Sequence, residues 1–157
     1  YLKSLKISNL KLFYFLFKYQ SKQTKEITKT KTFDGLPEVL NELKKSGLKM
    51  GVCTSNSKRN VNLFLKNSNL DVFDFVYSSL NYFRKDKILL RAIKKFKLEK
   101  SNVIYIGDEV RDITAARNAG LKVASVTWGY NLESVLSQNN PDFLINQPKE
   151  LLNLVLE

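Results

Sequence analysis

The chain has 157 residues, 43% of them apolar and 26% charged, which suits one sizeable hydrophobic core. Its single cysteine, Cys53, excludes an internal disulfide framework, and the absence of histidine excludes Ser-His and Cys-His nucleophiles and imidazole metal sites. The net charge of +11 points at first to nucleic acid or a membrane surface. However, 21 lysines stand against only 5 arginines, the residues that clamp phosphates or read bases, so nucleic acid is not the expected partner.

Residues 1–32 are aromatic and lysine-rich with a roughly helical pattern, and residues 1–33 alone carry eight lysines against one glutamate. That is +7 of the net charge, which leaves +4 for the remainder. The longest apolar stretch, Leu10 to Phe17, is broken by Lys11 and is far shorter than the roughly 20 residues a bilayer span requires. No small-residue cleavage site follows it, so neither a membrane partner nor a signal peptide is expected and the localisation expected is cytoplasmic. Tyr1 rather than Met in first place leads to the expectation of a fragment or a trimmed chain. This stretch reads as a helical appendage, 1–32, joined to a core that occupies 33–157.

From Gly35 the apolar period alternates. Leu36, Val39, Leu40 and Leu43 lie on one face of a helix that stops at Gly47. Leu48 to Cys53 reads as a buried strand, Val61, Phe64 and Leu65 as a helix, and Val72 to Tyr77 as a second strand. Ile88, Leu89, Ala92, Ile93 and Phe96 mark a third helix. Three more strands follow at Val103–Ile106, Val123–Val126 and Phe143–Ile145, with helices at about 111–118, 132–138 and 148–155. Short β-branched strands alternating with helices predict an α/β fold, a doubly wound parallel sheet of Rossmann type covered on both faces. Ligands of such sheets bind beyond the carboxyl ends of the strands.

Three segments at or near those ends carry candidate chemistry. Thr54, Ser55, Asn56 and Ser57 put four hydroxyl or amide side chains where a helix begins. They are suited either to binding a phosphate or to plain N-capping by Ser55, Asn56 or Ser57. Gly107-Asp108-Glu109-Val110-Arg111-Asp112 places three carboxylates within five residues. Helix-dipole preference accounts for one or two of them, and a shared cation, Mg²⁺ above all, accounts for the cluster. Between them Lys85, in Arg84-Lys85-Asp86-Lys87, could reach a bound phosphoryl group as a point charge.

With these residues the chain resembles the haloacid dehalogenase superfamily of phosphohydrolases, in particular its phosphoglycolate-phosphatase-like members. VCTSN is similar to that family's second motif, Lys85 to its third and VIYIGDEVRDITAARNAG to its fourth, and TWGYN (127–131) and PDFLI (141–145) extend the likeness. Lys85 fits the third motif better than Lys87, because its spacing to Ile88 is the better one. The resemblance implies a Mg²⁺-dependent phosphatase acting through an aspartyl-phosphate on a small phosphorylated metabolite. It implies that Thr54 donates to the phosphoryl group with Ser55 and Asn56 beside it, that Lys85 offsets its charge, and that Asp108 and Asp112 hold the metal. Residues 1–32 resemble the end of the helical cap that such enzymes insert after their first strand.

The family's first motif, with the nucleophilic aspartate and an aspartate acting as general acid, precedes that cap. The first aspartate here is Asp34, which begins a helix rather than ending a strand. The expectation is therefore a core without its central strand, inactive alone, that needs a missing N-terminal segment or a second chain to complete the sheet. Two other readings remain. A phosphorylation-receiving domain uses similar residues, but with the carboxylates first rather than last. A non-catalytic phosphate-binding or basic nucleic-acid-binding module would need only the residues present.

Overall fold

The computed structural model describes Ile27, residues 30–79 and residues 84–155. The expected appendage therefore lies almost wholly outside the described residues. Helix α1 (Leu36–Lys45) follows Gly35, whose left-handed φ of 75° ends the incoming loop, and a proline occupies its first turn, where no N–H is needed. Val39 and Leu43 are its buried stripe. Strand β1 (Gly51–Thr54) leads to α2 (Lys58–Asn67), and β2 (Phe75–Ser78) to α3 (Lys85–Phe96). A 3₁₀ turn (Lys100–Asn102) precedes β3 (Ile104–Gly107), α4 (Val110–Ala119) and β4 (Lys122–Val126). Last come α5 (Glu133–Gln138), β5 (Phe143–Ile145) and a 3₁₀ segment (Pro148–Val155). The described helices include none long and apolar enough to cross a membrane.

Every strand pair is parallel, as the alternating pattern requires. Apolar alternation within β4 divides the core in two. Val123 packs with Leu89, Ile93, Ile113, Ala116 and Leu136 on one face, while Ala124 and Val126 pack with Val39, Leu43, Ile145 and Leu151 on the other. This is a doubly wound α/β fold. Two boundaries differ from the sequence reading. Leu48–Met50 precede β1 rather than belonging to it, and Val72 sits buried in a turn before β2. Both stretches are apolar because they pack, not because they pair: Leu48 and Met50 lie against the Val39–Leu43 cluster. The C-terminal element is 3₁₀ rather than α, yet it still buries Leu151.

The strands form two sheets, β1–β2 and β3–β4–β5. Their pairing registers Thr54 with Ser78 in the first, and Gly107 with Ser125 in the second. No described strand pairs with the free edge of β1 or of β3. The two sheets nevertheless share both apolar layers. Cys53 of β1 and Tyr105 of β3 pack against one cluster, and Met50, just before β1, and Ile104 of β3 against the other. Thr54 and Gly107 thus finish strands that each have one edge unpaired among the described residues and that share the same apolar layers.

Candidate phosphate and cation site

The segment after β1 is organised by its own side chains. Thr54 Oγ1 accepts from the Asn56 N–H (3.0 Å), Asn56 Oδ1 accepts from the Ser57 N–H (2.8 Å) and from Asn60 Nδ2 (3.2 Å), and Ser57 Oγ accepts from the Asn60 N–H (3.2 Å). Ser57 is therefore the N-cap of α2, and the capping alternatives at Ser55 and Asn56 do not apply. Strand β2 secures the loop from the side. The Ser78 hydroxyl donates to the Asn56 carbonyl, and the Ser79 N–H donates to the Thr54 carbonyl at 3.0 Å. Accepting the bond from the Asn56 N–H leaves the Thr54 hydroxyl with a proton to donate.

Lys85 is the first residue of α3, and its ammonium pairs with Asp112 of α4. Asp112 is only 1% exposed, and its other oxygen, Oδ2, accepts from the Asp108 and Glu109 N–H groups, both at 3.2 Å. The Tyr105 hydroxyl lies 3.4 Å from Asp112 Oδ1, and the Lys85 ammonium sits 5.7 Å from the centre of the Tyr105 ring. Burial and the neighbouring Asp112 carboxylate push the Tyr105 phenol far up, so it stays a neutral donor. Such a buried charge is tolerable because it is paired and hydrogen-bonded at once. Gly107 is required here: a Cβ on it would stand 2.5 Å from the Asp112 Cβ.

Asp108, Glu109 and Asp112 each bring a carboxylate oxygen within 4.8 Å of the others. Their remaining bonds differentiate them. Glu109 is forked by Arg111 (2.7 Å) and shares a reciprocal capping box with Asp112. Asp108 Oδ2 accepts from the Tyr130 N–H at 2.7 Å, while its Oδ1 has no hydrogen-bond partner among the described residues. An all-oxygen donor set with one carboxylate oxygen unclaimed suits Mg²⁺, which normally keeps several waters and takes few protein ligands. Cys53, one residue before Thr54, ties the two halves together. Burial pushes its thiol up to about 11, against the pull of the nearby Lys85 ammonium.

All six residues singled out from the sequence, Thr54, Ser55, Asn56, Lys85, Asp108 and Asp112, thus lie at or just beyond the ends of β1 and β3 or at the start of α3 and α4. Sequence reasoning missed Ser78, Tyr105, Tyr130 and Asn131. Ser78 had a legible signal, being a hydroxyl that ends a strand as Thr54 does. The contribution of Tyr130 is a backbone N–H, which residue type does not reveal.

The chain is similar to known proteins in sequence and in fold. The family model described as haloacid dehalogenase-like hydrolase matches residues 1–126. A phosphoglycolate phosphatase from Synechococcus elongatus is 33% identical over 126 residues, and the pyrophosphatase PpaX of Bacillus thuringiensis is 29% identical over 127. These matches cover 80% and 78% of this chain but only 59% of each relative. Among solved structures, a haloacid dehalogenase-like hydrolase family protein from Streptococcus pneumoniae superimposes with a TM-score of 0.81 at 24% identity, covering 96% of this chain and 73% of that one. The fold and a family match over more than half the sequence agree: the chain belongs to the haloacid dehalogenase-like hydrolase family.

Proposed function

We propose that the chain supplies the phosphate- and cation-binding part of a Mg²⁺-dependent phosphomonoesterase that works through an aspartyl-phosphate on a small phosphorylated metabolite. The observation that carries this reading is the Lys85–Asp112 pair, a part-withdrawn ammonium held by a buried carboxylate at the end of α3 that meets β1 and β3. Lys85 offsets phosphoryl charge, the Thr54 hydroxyl donates to a phosphoryl oxygen, and the Ser55–Asn56 segment lines the same side. Of the two expected ligands, Asp108 offers its unclaimed oxygen to Mg²⁺, whereas both oxygens of Asp112 are engaged, by Lys85 and by the Asp108 and Glu109 N–H groups, so Asp112 grips that turn from behind. The ion supplies neutralisation of phosphate charge when bound.

In this reading the nucleophilic aspartate sits on a strand that docks between β1 and β3, from an N-terminal segment or a second chain, and residues 1–32 belong to the cap. Neither nucleic acid nor membrane is needed. The test is binding of inorganic phosphate in the presence of Mg²⁺, followed by calorimetry, together with turnover of an aryl phosphate. Phosphate should bind, Lys85→Ala should weaken it at least tenfold, and turnover should be absent until a peptide with an apolar strand ending in Asp-x-Asp is supplied. Equal phosphate affinity in Lys85→Ala would overturn the assignment. Binding without turnover even with the peptide would leave a non-catalytic phosphate-binding module.

A further inference from the structure

The segment Thr127–Asn131, between β4 and α5, has no role in the chemistry above, yet three of its bonds converge on the turn that carries Asp108. The Tyr130 N–H donates to Asp108 Oδ2 at 2.7 Å, and the Asn131 N–H donates to the Asp108 carbonyl at 3.1 Å. Asn131 Oδ1 accepts from the Val110 N–H at 2.9 Å. Val110 opens α4, so its N–H is one of the donors that a helix start leaves without an internal partner. The capping box of Glu109 and Asp112 serves other N–H groups, which leaves this one to Asn131. Gly129 completes the contact, since a Cβ there would collide with the Cβ and carboxylate of Asp108. The side chain of Tyr130 is 81% exposed, so the segment acts here through its backbone and Asn131.

We infer that Asn131, with Gly129, is a positioning residue for Asp108. The segment is a clasp that occupies Oδ2 with a main-chain donor, fixes the turn at both of its ends, and leaves Oδ1 as the oxygen for the cation. Outer partners of this kind matter because a ligand already held in one orientation loses little freedom when the ion arrives, and their removal typically lowers metal affinity 10- to 100-fold. The inference rests on the reading of Asp108 as a Mg²⁺ ligand, and its test separates the two.

Mg²⁺ is titrated calorimetrically into the native chain, Asp108→Asn, Asn131→Ala and Asn131→Asp, with a thermal melt of each. Asn131→Ala should weaken Mg²⁺ binding about tenfold. Asn131→Asp keeps an acceptor for Val110 and should bind at least as tightly as the native chain, a rescue that a purely structural role at this position would not produce in the affinity. Should Asn131→Ala fail to fold, Asn131→Ser, with its shorter acceptor, takes its place with the same expected direction. Native affinity in Asn131→Ala, or a loss that Asn131→Asp does not repair, would overturn the clasp while a weakened Asp108→Asn upheld the cation site. Native affinity in Asp108→Asn would remove the cation reading and the clasp with it.

Discussion

The strands β4 and β1 have similar compositions and very different surroundings. In β4 every residue after Lys122 is buried, because the strand has a neighbour on each edge and apolar elements on each face. In β1 the three residues after exposed Gly51 are only half-buried, and β3 shows the same condition, with Ile106 at 43% exposure in mid-strand. Apolar sequence makes a strand eligible for the interior, but what packs over its faces and edges decides whether it gets there: β3 and β5 each pair with β4 alone, yet Ile145 is buried and Ile106 is not. In the described residues β1 and β3 each pair with a strand on one edge only.

Matched substitutions sharpen that contrast most strongly. Ile145→Ala in β5, where the side chain is 5% exposed, should cost about 3 kcal/mol in urea unfolding, whereas Ile106→Ala in β3 should cost about 1 kcal/mol. If a docking strand then covers Ile106, its cost should rise toward that of Ile145. Equal costs in the isolated chain would mean that the β3 edge is already covered.

Lys85→Ala tests the link between the two sheets. It strands the Asp112 carboxylate in the interior, and because Lys85 itself is 22% exposed the expected loss is about 2–3 kcal/mol, somewhat under that for a fully buried pair. A loss below about 0.5 kcal/mol would place the pair among surface ion pairs.

Cys53 reports on the cover over β1. Its thiol is raised to about 11 from an ordinary 9.0, so the folded chain keeps a proton that the unfolded chain releases. The stability this confers is fully present below about pH 9 and is lost as pH rises toward about 11. Iodoacetamide at pH 9 should therefore label the folded chain much more slowly than the urea-unfolded chain, as followed by mass spectrometry. Equal rates would show that the two-stranded unit opens freely.

The smallest effect is expected in the best-packed strand. Ser125 of β4 is fully buried, and its hydroxyl has no hydrogen-bond partner among the described residues. Ser125→Ala should be neutral or stabilising by up to about 1 kcal/mol, since an unsatisfied hydroxyl is removed. A clear destabilisation would reveal a bridging water at that position.

The alternation of periods identified every strand and α-helix of the described core, though not the 3₁₀ turn at Lys100–Asn102, because each of these elements buries a face whose spacing is written in residue type. It failed where burial and pairing part company, at Leu48–Met50 and Val72, which are apolar without being strand. In the site, Lys85 and the acidic turn were legible because charge at a strand end has few structural uses. The Lys85–Asp112 pairing, whose partners are 27 positions apart, and the backbone donors of the 127–131 segment were not, since both depend on which elements the fold brings together.

Helix α3 draws these parts into one body. At its far end Phe96 stacks on Phe75 of β2 with ring centres 3.8 Å apart, and Phe75 in turn fills the space beside Gly51 that a side chain there would occupy. At its near end Lys85 grips α4. The helix is thus a strut roughly 18 Å long, riveted to β2 by an aromatic plate and to α4 by charge. Loosening the plate at Phe96 should let the ammonium at the opposite end swing, so the accuracy with which Lys85 is aimed is stored partly in a pair of rings more than three helical turns away.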